Sequence, residues 1–366
     1  MPHTDLDHMR AALALAQRGL GDTAPNPSVG CVIATSTQPI ARAYTGPGGR
    51  PHAETQALAM AGSAARGATA YVTLEPCAHY GKTPPCAQAL IDAQIARVVI
   101  AQPDPDPRVN GAGIAMLKRA GIAVEIGLCE AQAAQINAGF TSVITRARPL
   151  ITLKLATSLD GQIATRLGAS QWITGPAARA AGHALRGNHD AIMVGVGTIL
   201  ADDPELTCRL EGYRATKLTR IIVDSHLRTP LTSRLLVSAA ESPIWILHRD
   251  GADPARLAAF TDLGLKLIEL PAAATGVSLP NAMRALAAHG ITRLLVEGGS
   301  TLAAALLQAD LIDRLAWFTA PLVIGGDGIP AIAGFGIDKI TQAAHFTLDH
   351  LQQLGPDRLA HYSRSA

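Results

Sequence analysis

His52-Ala53-Glu54 is followed by Pro76-Cys77 and then, after eight intervening residues, by Cys86. These positions offer one imidazole, two thiols and one carboxylate that is not needed as a ligand. Three N/S ligands leave a tetrahedral Zn²⁺ one open position for water. Water in that position ionises near neutral pH. A glutamate two residues after the histidine can carry the proton. This donor set points to hydrolytic removal of an amino group from a nucleobase-like ring. A lone His or Cys would be read as a surface imidazole or a buried thiol. Here all three fall at expected strand–helix junctions, which favours a metal centre. The usual spacing for this chemistry is Pro-Cys-x-x-Cys, whereas this chain inserts residues 78–85 between the cysteines.

The inserted loop carries His79, Lys82 and Thr83. A basic, hydroxylic loop at such a mouth suits a phosphate on the substrate, against the plainer reading of a solvated loop. Asp104-Pro105-Asp106-Pro107 follows an expected strand, where α/β sheets gather ligands, although Asp and Pro also make ordinary turns. Asn26, between Pro25 and Pro27, is either a ring contact or a turn residue. In the second half, Val296-Glu297-Gly298-Gly299-Ser300-Thr301 reads as strand, glycine turn and helix start. Such a turn permits close backbone approach and offers N–H groups to phosphate. It lacks the Gly-x-Gly-x-x-Gly fingerprint of a standard dinucleotide turn. Gly195-Val196-Gly197-Thr198 is a second glycine turn, followed by Asp202-Asp203-Pro204. Arg186 and Arg209 are candidate anion holders or surface charge. Lys154 interrupts an apolar strand and either points outward or faces a pocket where it could donate a proton. Cys31, Cys129 and Cys208 are read as structural.

These residues need strand–helix junctions to hold them. Residues 5–18 have helical apolar spacing at Met9, Ala12, Leu13 and Ala16, closed by Gly19 and Gly21. Residues 28–34, 70–74, 97–101 and 122–126 read as strands; 53–65, 86–93 and 113–120 read as helices. His52 and Glu54 then start a helix, Cys77 follows a strand, and Cys86 opens a helix after Pro84-Pro85. Proline suits a first turn, and the helix N-terminus favours thiolate at Cys86. Residues 139–149 lack periodicity, so the domain boundary is set there, giving domains 1–147 and 148–366. The second domain alternates again, with strands at 150–156, 190–194, 220–223, 243–247, 266–270, 293–296 and 313–319. Helices are expected at 176–186, 279–288 and 301–308. Residues 346–353 and 358–362 form a terminal hairpin around Gly355-Pro356.

At 366 residues, two α/β domains are expected. Hydrophobic residues make up 48%, enough for large cores. A formal net charge of +2 and 4% aromatics do not make a nucleic-acid surface. Five cysteines argue against a disulfide framework. No leader or membrane-length apolar run is evident, so a reducing cytoplasmic setting is expected.

Thr73-Leu74-Glu75-Pro76-Cys77-Ala78-His79, Thr83-Pro84-Pro85-Cys86 and Pro25-Asn26-Pro27-Ser28-Val29-Gly30-Cys31 resemble the bifunctional riboflavin-biosynthesis deaminase/reductases. So do Ser158-Leu159-Asp160-Gly161, Ser170-Gln171-Trp172-Ile173-Thr174 and Leu200-Ala201-Asp202-Asp203-Pro204, in family order. The resemblance implies a cytidine-deaminase-like α/β/α sandwich followed by a dihydrofolate-reductase-like α/β domain. It implies zinc on His52, Cys77 and Cys86, with Glu54 as proton shuttle. Asn26, His79, Lys82, Asp104 and Asp106 would contact the deaminase substrate, Lys82 near its phosphate. Ala156, Trp172, Thr198, Asp202, Ser225 and the Gly299 turn would face NADPH. Ser170, Arg186, Leu206, Arg209 and Glu297 would face the reductase substrate, with Lys154 and Asp202 assisting reduction. The substrate implied is a small phosphorylated pyrimidine handled by a homo-oligomer, with no nucleic-acid or membrane partner. Thr45 and Asp106 depart from the family pattern, which often has histidine and asparagine there. The rival readings are a nucleoside or RNA-base deaminase with an accessory domain, and a zinc-stabilised scaffold. A scaffold would normally close its zinc with a fourth protein ligand.

Overall fold

Thr4 starts the first helix, Asp5–Arg18. Its hydroxyl accepts the Asp7 N–H, and the Asp7 carboxylate accepts the Thr4 N–H at 2.9 Å. This reciprocal cap satisfies two donors that would otherwise face only water. The helix buries Met9, Ala12, Leu13 and Ala16 against the strand Gly30–Ala34. A Cβ on Gly30 would come within 1.9 Å of the Ala12 carbonyl oxygen, so that position takes only glycine. The computed structural model describes residues 4–36, 38–81, 84–107, 109–213, 216–273 and 276–365. The chain divides into two compact units, residues 1–147 and 148–366.

The first unit has a five-stranded sheet in the order Pro39–Tyr44, Gly30–Ala34, Thr69–Val72, Arg97–Ile100, Ala123–Ile126. The first two pairings are antiparallel and the others parallel. Alternate residues feed two cores. Cys31, Ile33, Val72 and Ile100 pack under the helices Ala53–Ala61, Cys86–Asp92 and Ala112–Arg119. Val32, Tyr71 and Val99 pack under Asp5–Arg18 and Glu130–Ile136. Helices therefore cover both faces of the sheet. Residues 139–149, expected to be aperiodic, instead hold most of a helix, Ala138–Arg146. Its buried positions are Gly139 and Ser142, so the packed face carries no apolar stripe to read. The strand Pro39–Tyr44 and the helix Glu130–Ile136 were likewise not expected.

The second unit has a nine-stranded sheet. Its order is Lys266–Leu270, Ile244–Arg249, Thr219–Val223, Ala191–Gly195, Arg293–Glu297, Leu150–Thr157, Arg314–Thr319, Asp357–Arg364, Phe346–Leu354. The first seven strands are mutually parallel, and the terminal hairpin adds antiparallel. Arg293–Glu297 is inserted between two strands that precede it in sequence. Loops leaving Ala191–Gly195 and Arg293–Glu297 therefore diverge, opening a crevice at the strands' carboxyl ends. Leu153 and Leu155 enter one core, while Lys154 and Ala156 face the other side, which the helix Pro176–Gly187 covers in part. The turn expected after Gly195 is at once a helix, Val196–Asp202. The helix Pro254–Asp262, capped by Asp253, was also not expected. No helix among the described residues is long and apolar enough to cross a membrane.

Candidate active sites

In the first unit, His52 is the N-cap of Ala53–Ala61 and Cys86 is the first residue of Cys86–Asp92, after Pro85. Cys77 lies five residues beyond the end of Thr69–Val72. The three ligand atoms lie within 4.8 Å of one another, and this is the one such cluster of His, Cys, Asp or Glu among the described residues. His52 Nδ1 is 3.2 Å from Cys86 Sγ and 3.7 Å from Cys77 Sγ. Tetrahedral zinc with bonds of about 2.1 Å to nitrogen and 2.3 Å to sulfur separates such ligands by roughly 3.6 Å, so the observed spacings fit the ion to within a few tenths of an ångström. With three donors among the described residues, a bound ion would keep a fourth position for water.

Cys77, rather than the Cys86 expected from its helix start, is set for thiolate. A hydrogen bond from Cys86 pulls the Cys77 thiol down to about 4, and His52 and the Cys86 backbone N–H add to it. The same contact with Cys77, together with burial, pushes the Cys86 thiol up, so Cys77 gives up its proton first. His52 is raised by its hydrogen bond to Cys77, against the effect of burial. Glu54 is 3% exposed. Burial, with the Cys77 charge adding to it, brings its carboxyl up to about 7, the range suited to taking and returning a proton at neutral pH.

A cavity of about 140 Å³ opens over His52, Glu54 and Cys77, lined also by Asn26, Thr45, His79, Asp104 and Asp106. Asn26 Nδ2 donates to the Gly48 carbonyl at 3.4 Å. A Cβ on Gly49 would come within 1.9 Å of that nitrogen, and Gly49 has φ +85°. Thr45 Oγ1 accepts the Val29 N–H at 2.9 Å, so its hydroxyl fastens a strand end. His79 is exposed, whereas Asp104 and Asp106 are buried. Burial raises the Asp104 carboxyl to about 6, although it accepts the Asp106 N–H at 2.9 Å. Lys82 and Thr83 lie outside the described residues.

Sequence reasoning missed Glu75. Its buried carboxylate accepts the N–H groups of Asp104, Gly111, Gly113 and Ile114 at 2.9–3.2 Å. It thus fixes the wall that carries Asp104 and Asp106. Its position one residue before Pro76-Cys77 was the available signal.

In the second unit a cavity of about 300 Å³ collects Lys154, Ala156, Ser170, Trp172, Arg186, Thr198, Asp202, Arg209, Glu297 and Gly299. Glu297 pairs in register with Lys154 across parallel strands. Arg186 grips its carboxylate with two bonds of 2.7 and 2.9 Å, and Lys154 Nζ lies 3.5 Å away. Burial opposes charge on Glu297, but Arg186 and Lys154 outweigh it and hold the carboxyl at about 2. Burial likewise opposes charge on Arg186, but Glu297 keeps that guanidinium charged. Burial raises the Asp202 carboxyl.

Two expected residues lie elsewhere. Leu206 turns its side chain into a core with Leu218 and Leu227, its backbone left-handed at φ +56°. An isolated leucine in a polar loop gains more by burial than by facing a polar cavity. Ser225 lines a second cavity of about 460 Å³. Arg179 and His183 line the first cavity and were missed. With Arg186 they recur at i, i+4 and i+7 on Pro176–Gly187, a spacing that puts them on one face and was readable. Arg179 stacks over the Trp172 ring at 4.6 Å.

Residues 2–102 match the cytidine and deoxycytidylate deaminase zinc-binding region, and residues 149–360 match the RibD C-terminal domain. Riboflavin biosynthesis protein RibD of Bacillus amyloliquefaciens is 41% identical over 351 residues, covering 96% of this chain and 94% of the relative. That of Escherichia coli K12 is 40% identical over 365 residues, covering 97% and 98%. The solved structure of Acinetobacter baumannii RibD superposes with a TM-score of 0.87 at 38% identity, covering 99% of both chains. A diaminohydroxyphosphoribosylaminopyrimidine deaminase/5-amino-6-(5-phosphoribosylamino)uracil reductase from Thermotoga maritima superposes at 0.86 with 30% identity, again covering 99% of both. The first unit is thus the expected cytidine-deaminase-like fold and the second the expected reductase fold. The chain belongs to the RibD family of riboflavin-biosynthesis enzymes, which join a zinc-binding deaminase domain to a reductase domain.

Proposed function

We propose that residues 1–147 deaminate a diaminopyrimidinone carrying a phosphoribosylamino group, and that residues 148–366 then reduce its ribosyl chain to a ribityl chain with NADPH. The observation that carries this reading is the open His52, Cys77 and Cys86 cluster with Glu54 buried beside it. Zinc, when bound there, supplies the Lewis acidity that makes hydroxide available near neutral pH. Glu54 takes the proton released from water as its oxygen adds to the amino-bearing ring carbon. It then returns that proton to the amino group, which departs as ammonia. Asn26, Asp104 and Asp106 orient the ring. Burial raises Asp104 toward the neutral range, and its carboxylate accepts the Asp106 N–H, which ties the two acids into one wall. His79 and Lys82 lie on the loop suited to the phosphate.

NADPH, when bound in the second unit, supplies a hydride. Reduction adds that hydride at the first sugar carbon and a proton at the heteroatom freed there. The Lys154 ammonium, oriented by Glu297, is the proton donor, with Asp202 assisting. Arg186, Arg209 and Ser170 hold the sugar phosphate, and Ala156, Trp172, Thr198, Ser225 and Gly299 hold the cofactor. We place the enzyme in the cytoplasm, where reducing conditions keep the two metal-binding thiols available. It acts as a homo-oligomer: Phe346–Leu354 is an edge strand with Leu348 and Leu351 exposed, a surface suited to a second copy. Incubating the protein with the diamine, with and without NADPH, tests both halves by mass. Deamination alone is expected without NADPH and a further gain of two hydrogens with it. An unchanged mass in both samples refutes the reading.

A further inference from the structure

His183 lines the reductase cavity of about 300 Å³ from the helix Pro176–Gly187, yet no step of the reduction needs it. The helix is laced to the segment Thr207–Arg209. Arg186 Nη1 donates to the Thr207 carbonyl at 2.9 Å, and the Cys208 thiol donates to the His183 carbonyl at 3.2 Å. The His183 ring meets the same segment with both nitrogens. Nδ1 lies 3.2 Å from the Thr207 carbonyl oxygen and 3.3 Å from the Arg209 backbone nitrogen, and Nε2 lies 3.4 Å from Arg209 Nη2.

A proton on Nδ1 satisfies two of these contacts. Nδ1–H donates to Thr207, and the Nε2 lone pair then accepts from the Arg209 guanidinium. A proton on Nε2 would serve only the Arg209 backbone N–H and would set two donors against each other. The surroundings therefore select the Nδ1–H form. Burial lowers the ring's pKa, and the charges of Arg186 and Arg209 add to it against the Thr207 bond and Glu297, so the ring is neutral at pH 7.

Arg209 needs such a holder. Its side chain is 59% exposed, and an arginine carries about 2 kcal/mol of rotamer entropy that fixing it can cost. Two groups fix it here, Glu205 at 3.2 Å and His183. Glu205 also pairs with Arg234. The two holders differ in kind. A carboxylate offsets the charge of the guanidinium it orients. A neutral imidazole orients the guanidinium and leaves its full charge for an incoming anion. We infer that His183 is a positioning residue, which sets the Arg209 guanidinium at the cavity to receive the phosphate of the reductase substrate. The inference rests on the reading of Arg209 as a phosphate holder.

The test follows NADPH oxidation by the full-length protein as the deaminated sugar phosphate is titrated in, with its dephosphorylated form as the comparison. Arg209→Leu should raise KM for the phosphorylated substrate and leave that for the dephosphorylated one unchanged. His183→Ala should raise the same KM about two- to tenfold, the range for ordering one long side chain, with kcat changed by less than about twofold. His183→Leu, which keeps the bulk of the ring without a lone pair, should act as His183→Ala does. A glutamine oxygen can accept a guanidinium N–H without carrying charge, so His183→Gln should recover most of the loss. If Arg209→Leu raises KM and neither His183→Ala nor His183→Leu does, the inference falls while the phosphate role of Arg209 stands. An equal loss on both substrates, or one that His183→Gln does not recover, also overturns it. If Arg209→Leu leaves KM unchanged, both fall.

Discussion

Replacing Glu297 by glutamine measures how far the reductase site is held by charge. The carboxylate is 7% exposed, doubly bonded to Arg186 and 3.5 Å from Lys154. Its carboxyl lies at about 2 instead of 4.5. At roughly 1.4 kcal/mol per tenfold change in proton affinity, that is about 3 kcal/mol of folded-state stabilisation at neutral pH. Removing one partner of a buried pair costs about 3–5 kcal/mol by a separate argument, because Arg186 is left charged and unneutralised. The sign follows from the depressed value: the contribution is complete above pH 4.5 and is lost as pH falls through 2. Urea unfolding of both proteins from pH 7 to pH 3, read on the transition of the second unit, should show Glu297→Gln less stable by about 3 kcal/mol at pH 7. The gap should narrow below pH 4.5. A domain of this size shifts by roughly 2–4 °C per kcal/mol, so the melting point should fall by about 6–12 °C. A deficit under about 1 kcal/mol at pH 7, or one that stays constant down to pH 3, would refute the reasoning.

Three further outcomes concern the first unit. Glu54→Gln should keep its zinc, measured by elemental analysis, and lose deamination by about 10²–10⁴, the range for one general acid–base group; normal turnover would remove Glu54 from the mechanism. Cys86→Ser should lower bound zinc well below one per chain after dialysis against a weak chelator, since a sulfur ligand at the helix start is replaced by a hydroxyl; full occupancy would mean the metal sits elsewhere. Glu75→Gln has one acceptor oxygen for the four N–H groups it now receives, and an unmet buried donor costs about 1–3 kcal/mol. It should raise the deaminase KM more than it lowers kcat, with zinc retained. An unchanged KM would show that the 104–114 wall holds itself.

The candidate metal ligands were legible because their placement is local. His52, Cys77 and Cys86 each stand at a helix start or just past a strand end, and caps and prolines mark such points in sequence. The parallel strands of the second unit were legible because strands buried on both faces are continuous apolar runs, as in Ala191–Gly195. The helix Ala138–Arg146 was not, because it packs through Gly139 and Ser142. Leu206 was assigned to the site by resemblance, and no local pattern tells an inward from an outward leucine in a loop.

The acids that brace the two sites share a physical character. Glu75, Asp224 and Glu297 each stand at or just past the carboxyl end of a sheet strand, each is buried, and each accepts from backbone N–H groups or cations. Loops at that edge expose donors that water cannot reach, and a buried carboxylate satisfies several at once. Such a residue contributes nothing to hydrophobic periodicity and resembles a solvated acid in sequence. Its removal leaves the core intact but frees the loop that faces the ligand. Glu75 and Asp224 are therefore where substitutions should change substrate and cofactor affinity before they change the fold.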